Sequence, residues 1–234
     1  MKIIFNADDY GYSKGVNLGI IEAFENGIAR SATMMANTPG FEHGARLLDH
    51  AKGLKIGVHL TLTHGKSLGG AYRTITDARG NFLSKAELEN AAHTGKIDLA
   101  EVEREYALQI QKILDKKIQI THLDGHHHTH ILPNIVDITT HFAKKHDLPV
   151  RMISVPFNDT FHGEHTTVEH LAATLPSITT NTEFMCHPAY LDAYLLRMSS
   201  YALPRANELE TLTNPKTREI IAQFGLTLAS FADL

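Results

Sequence analysis

The chain has 234 residues, 43% of them apolar, and a net charge of -4 with histidine neutral. That length and apolar content suit one sizeable domain or two small ones, and the absence of a basic tract argues against nucleic acid or an anionic membrane as a partner. The single cysteine, Cys186, rules out an internal disulfide and fits a reducing compartment.

Lys2 to Ala7 reads as a buried strand that feeds a polar loop at Asp8-Asp9-Tyr10-Gly11. Ile3-Ile4-Phe5 is too short for a signal peptide. Ser13 stands as the N-cap of a helix carrying Val16, Ile20, Ile21 and Phe24, which ends at Gly27. Arg30 to Met35 is a second strand and Pro39 to Ala51 a helix. Leu54 to Leu62 is a third strand, with His59 near its C-terminal end. Residues 63 to 97 lack a clean period and are punctuated by Gly65, Gly69, Gly70, Gly80 and Gly95. A loop of that length is usually functional or a lid. From Asp98 to Leu114 the pattern is helical, with Val102, Tyr106, Ile110 and Ile113 on one stripe.

Lys117 to Thr121 alternates like a strand, and Pro133 opens a helix to Lys145. Leu148 to Ile153 reads as a strand carrying Arg151, and residues 154 to 164 as an irregular insertion. A helix over Thr167 to Leu175 precedes a strand from Thr182 to His187, which Pro188 stops. Helices at Arg205 to Leu212 and Lys216 to Phe224 lead to a last strand, Leu226 to Phe231. About seven strands alternating with helices imply a parallel sheet with helical crossovers. An incomplete, distorted TIM-like barrel forming one domain over residues 1–234 is the expected fold. No stretch approaches the ~20 apolar residues of a membrane span, and the expected location is the cytoplasm.

Between the fourth strand and its helix lies Thr121 to His130, with His122, His126, His127, His128 and His130 around Asp124. Neutral imidazole is the commonest protein ligand for a transition metal, and an acidic neighbour can fix its tautomer. Asp8-Asp9, His59, the His126 cluster and His187 all fall at the ends of expected strands, which in a parallel sheet open on one face where sites are built. Each has a plainer reading. Paired aspartates cap helices, a lone histidine is often a satisfied core residue, and Arg151 could serve a structural ion pair. Their coincidence at one edge favours a site. Two histidines and one aspartate make the open layout of a catalytic metal centre. The same set serves non-haem iron oxygenases, although the alternating pattern favours a barrel hydrolase. Cys186 alternates away from His187 and reads as a small core residue.

Asn6-Ala7-Asp8-Asp9-Tyr10-Gly11, Gly57-Val58-His59-Leu60-Thr61-Leu62-Thr63, the run from His122 to His130 and Met185-Cys186-His187-Pro188 resemble the YdjC-like carbohydrate deacetylases, the family of chitooligosaccharide (diacetylchitobiose) deacetylase. The resemblance covers most of the chain. It implies a polysaccharide-deacetylase-like barrel of about seven strands and metal-dependent removal of acetyl groups from N-acetylated sugars. By matching positions it implies Asp9, His59 and His126 as metal ligands, Asp8 as catalytic base, His187 as general acid and Arg151 as the arginine that orients the base. It implies one divalent ion, magnesium by resemblance, while two imidazoles suit zinc or cobalt.

On that reading the ion polarises the acetyl carbonyl, Asp8 takes the proton of the attacking water, and His187 protonates the leaving amine. The expected substrate is a small carbohydrate, a chitooligosaccharide such as diacetylchitobiose with or without a phosphate. A homodimer is the expected assembly. His122, His127, His128 and His130 cannot all be ligands: some would orient His126 or Asp9 and others meet sugar hydroxyls. Tyr10, Tyr72 and Phe161 are candidates to stack on sugar rings, and Lys14 to contact a phosphate. Two rivals stay open. One is another metal-dependent barrel hydrolase, such as a phosphoesterase with two ions about 3.5–4 Å apart. The other is a non-catalytic sugar- or metal-binding protein.

Overall fold

The computed structural model describes residues 1–234. Its strands are β1 (Lys2–Tyr10), β2 (Ser31–Met34), β3 (Lys55–Leu60), β4 (Ile120–Gly125), β5 (Phe157–Asn158), β6 (Thr182–Cys186) and β7 (Thr227–Ala229). Its helices are α1 (Lys14–Glu25), α2 (Phe41–Leu47), α3 (Lys85–His93), α4 (Leu99–Leu114), α5 (Ile135–His146), α6 (Val168–Thr174), α7 (Ala193–Met198), α8 (Pro204–Thr213) and α9 (Pro215–Gln223). All ladders are parallel, in the order β4-β3-β2-β1-β6-β5, with β7 joined to the start of β1. No ladder joins β4 to β5; the single bridge Leu123–Val150 stands at that end of the sheet. The sheet is therefore a curled, incomplete barrel, as the alternation implies. No helix is long and apolar enough to cross a membrane.

Local chemistry accounts for most boundaries. The Ser13 hydroxyl accepts from the Val16 N–H at 3.2 Å and starts α1. Asp98 caps α4, whose stripe Val102, Tyr106, Ile110 and Ile113 is buried as its spacing predicts. Burying each such side chain contributes roughly 1.5–3 kcal/mol.

Four expectations need correction. Residues 63 to 97 contain α3, which buries only Leu88 and Ala92 and so shows little periodicity. Its signal is the Ser84–Glu87 capping box, where each side chain serves the other's backbone N–H. Leu148 to Ile153 is a turn instead of a strand. Pro149 has no N–H to donate, Met152 takes φ +63°, and only Val150 bridges β4. The fifth strand is Phe157–Asn158, inside the segment expected to be irregular. The fourth strand begins later than expected, because Lys117 has φ +59°, so His122 and Asp124 are strand residues.

Strand alternation builds the interior in layers. Ile3, Phe5 and Ala7 face the helices and join a core of 47 buried residues, where Phe5 stacks on Phe184 at 5.2 Å. Cys186 joins this core too, its thiol donating to the Asn6 carbonyl at 3.3 Å. Ile4 faces the other way, into a small apolar floor with Val155, Ala229 and Phe231. His122 lies flat on Phe231, with ring centroids 4.0 Å apart, and its Nε2 is 3.0 Å from Asn6 Oδ1. Burial drives His122 down to about 3, so it is neutral and structural. Gly57 makes room for it, since a Cβ there would come within 2.4 Å of the ring. Above this layer come Asn6, Thr33, Asp8, Asp124, Arg151 and Glu183, all buried. The barrel thus rises from an apolar floor to a charged mouth.

Candidate active site

In a regular strand Asp8 and Asp9 would point to opposite faces. Here the β1–β2 register shifts between Ala7 and Tyr10, and Asp9 takes φ +69°. Asp tolerates that left-handed backbone better than most residues. The bulge turns both carboxylates to one cavity, a recurrent use of bulges beside active sites. The expectation of a loop at Asp8-Asp9 is corrected accordingly: β1 runs on to Tyr10.

Asp9 Oδ1 lies 3.2 Å from His59 Nε2 and 3.0 Å from His126 Nδ1. Although buried, this oxygen makes no hydrogen bond. Its other oxygen accepts from Arg205 Nη2 at 2.6 Å. His59 Nδ1 is 2.7 Å from Asp124 Oδ1, its register partner across β3 and β4. In the neutral ring a proton on Nδ1 donates to Asp124 and leaves the Nε2 lone pair facing Asp9, the arrangement that orients metal-binding histidines. Three donor atoms thus converge with nothing else to satisfy Asp9 Oδ1. This fits a divalent cation held by Asp9, His59 and His126.

Asp8 has a different partner. Arg151 grips it with a fork, Nη1 to Oδ2 and Nη2 to Oδ1, both at 2.6 Å. Arg151 is fully buried and also meets Asp124 Oδ2 at 2.9 Å and, through Nε, Glu183 Oε1 at 2.8 Å. Burial would raise the Asp8 pKa, but Arg151 outweighs it and holds Asp8 below the ordinary carboxylate range. His187 Nε2 is 4.0 Å from Asp8 Oδ2, and its Nδ1 is 3.8 Å from Glu208 Oε1. Its backbone N–H donates to Glu208 as well. Asp8, Asp9, His59, His126 and His187 line one cavity of about 600 Å³, and Arg151 supports it from below.

Glu183 gives this cluster a pH signature. Burial lifts it from its ordinary 4.5 to about 7 despite Arg151. The folded chain then keeps a proton that the unfolded chain has released, so stability falls as pH rises from about 4.5 to 7 and levels off above. Glu183→Gln is expected to flatten that fall in urea unfolding compared at about pH 5 and pH 8. Equal slopes in the two proteins would refute it.

Of the spare histidines, one packs on His126 and two line the cavity. His127 packs on the His126 ring with centroids 3.9 Å apart and its Nδ1 meets Thr63 Oγ1 at 2.9 Å, His128 packs edge-on to Phe157, both line the cavity, and buried His130 lies 3.4 Å from the Arg151 carbonyl. Tyr10, Tyr72 and Phe161 are buried away from the cavity wall, and Lys14 does not line it. Tyr12, stacked on His64, and Tyr201, stacked on His162, line it instead. Asp124 fixes His59 on another strand and not a histidine of its own run.

Arg205 and Glu208 were missed by sequence reasoning. The signal was there: with Leu209 and Leu212 they occupy i, i+3, i+4 and i+7 of α8, a buried stripe. Charges on such a stripe need partners. Of eleven buried side-chain polar atoms without a partner, five belong to Asp9, His64, His128, His187 and Arg205 on this cavity. Such a wall suits a polar ligand.

The carbohydrate deacetylase of Clostridium beijerinckii is 36% identical over 250 residues, covering all of both chains. That of Geobacillus stearothermophilus is 36% identical over 98% of this chain and 96% of its own. A solved Enterococcus faecalis protein, whose name attributes to it cellobiose-phosphate cleavage, superposes with a TM-score of 0.89 at 29% identity over 99% of this chain and 98% of its own. A family 4 carbohydrate esterase from Streptomyces lividans shares the fold, with a TM-score of 0.55 at 14% identity over 97% and 91% of the two chains. The family model of the YdjC-like proteins matches residues 2–223, and with these full-length relatives it shows that the chain belongs to the YdjC-like family of carbohydrate deacetylases.

Proposed function

We propose that this member of the family is a metal-dependent N-deacetylase of a small acetylated sugar, a chitooligosaccharide such as diacetylchitobiose, with or without a phosphate. One observation carries the reading: two adjacent aspartates face one cavity with opposite partners, Asp9 toward two imidazoles and Asp8 in an arginine fork. The names of the relatives and the polar wall support a sugar. A core that draws on residues from Ile3 to Leu226 supports residues 1–234 acting as one catalytic domain.

Asp9, His59 and His126 hold the cation, which supplies polarisation of the acetyl carbonyl and a more acidic water. Zinc or cobalt suits the two imidazoles, and magnesium the family resemblance. Asp8, kept anionic and held in the Arg151 fork, takes the proton of the attacking water. The water oxygen bonds to the acetyl carbon and the C–N bond breaks. His187, whose Nε2 faces Asp8, gives a proton to the departing amine. Acetate and an amino sugar remain.

The test is acetate release from diacetylchitobiose by metal-stripped protein, with zinc, cobalt or magnesium added back. One ion should restore release, and Asp8→Asn should lower it by roughly 10²–10⁴-fold while cation affinity persists. No release with any ion from the sugar or its phosphorylated form would overturn the proposal, as would full activity in Asp8→Asn.

A further inference from the structure

At the mouth of the same cavity a second group of ligand atoms converges. His162, His187 and Glu208 each offer one donor atom, all within 4.8 Å of one another. Glu208 is fully buried, yet no lysine or arginine lies within ion-pair reach of it; its only ion-pair partner is His187. Its oxygens accept from the Tyr201 hydroxyl at 2.6 Å and from the His187 backbone N–H. His187 Nδ1 faces it at 3.8 Å and has no hydrogen-bond partner of its own. With His187 neutral, Glu208 is a buried carboxylate with no cation in reach, which is costly. An unsatisfied imidazole nitrogen beside it marks a place where a positive charge is missing.

We infer that His162, His187 and Glu208 form a second, weaker site for a zinc-like divalent cation, and that filling it switches the enzyme off. Two imidazoles and a carboxylate suit zinc. Tetrahedral zinc with bonds of about 2.0–2.2 Å holds its donors roughly 3.4 Å apart. Asp9 already meets its histidines at 3.0 and 3.2 Å. The His187–Glu208 pair stands at 3.8 Å and must contract, and His162 is exposed. The affinity order follows from that difference.

Inhibition follows from which nitrogen is taken. A cation on Nδ1 displaces the proton that would make His187 an imidazolium. The ring keeps a proton on Nε2, toward Asp8, but a neutral imidazole is a far weaker acid than its cation. The site stands on geometry alone; the inhibition rests on the proton-donor role proposed for His187.

Calorimetric titration of metal-stripped protein with zinc is expected to show two classes of site, tight and weak. His162→Ala should lose the weak class and keep the tight one; His59→Ala should do the reverse. In parallel, acetate release should fall by roughly 10²-fold between one equivalent and excess zinc in the wild type, and by less than about twofold in His162→Ala, each protein being compared with itself. A single, tight class of site in the wild type that His59→Ala abolishes, two classes persisting in His162→Ala, or acetate release unchanged by excess zinc would overturn the proposal. Failure of the first metal site would appear instead as loss of the tight class.

Discussion

Arg151→Met is expected to lose about 3–5 kcal/mol of stability, and the chain then stands close to unfolding, since a domain has only roughly 5–15 kcal/mol in total. The side chain is fully buried and is the one arginine or lysine shared by Asp8, Asp124 and Glu183. Methionine fills similar volume but leaves three buried carboxylates without their shared cation. Arg151→Lys should recover part of the loss. An ammonium supplies charge but no planar fork, so it cannot hold both Asp8 oxygens. The measurement is the urea midpoint of the three proteins near neutral pH. A methionine variant within about 0.5 kcal/mol of wild type would show that the fork is not structural. Among variants that stay folded, the activity of the lysine protein reports how far Asp8 depends on being aimed.

His59→Ala is expected to abolish tight cation binding and to lower acetate release by roughly 10³-fold or more. Lewis-acid assistance is worth several kcal/mol, and about 1.4 kcal/mol corresponds to tenfold in rate. Asp124→Asn should act more mildly, lowering cation affinity by about 10–100-fold through loss of the carboxylate charge that orients His59. Excess ion should restore the asparagine variant and not the alanine one. Equilibrium dialysis against the ion, read beside acetate release, checks both. His59→Ala protein that retains a full equivalent of tightly held ion would remove His59 from the metal site.

Much of this was legible because it is local. Periodicity placed most helices and strands, and Ser13 marked one helix start by its side-chain chemistry. Residues with metal-binding or proton-transfer chemistry stood at strand ends, and a parallel sheet puts those ends on one face. The seven-strand total was right although one strand was misplaced, because the turn at Leu148 to Ile153 has the apolar content of a strand without its ladder. What the sequence by itself determined was therefore the barrel, the edge that carries the site and the six residues brought together there. The tertiary structure decided how they are used. Only a bulge at Asp9 brings two consecutive aspartates to one cavity. Only folding supplies the Asp124 carboxylate to His59, 65 residues away, and Arg205 to Asp9, 196 residues away. Buried charges are stable only with partners, and those partners lie far apart in the chain, beyond the reach of any local pattern.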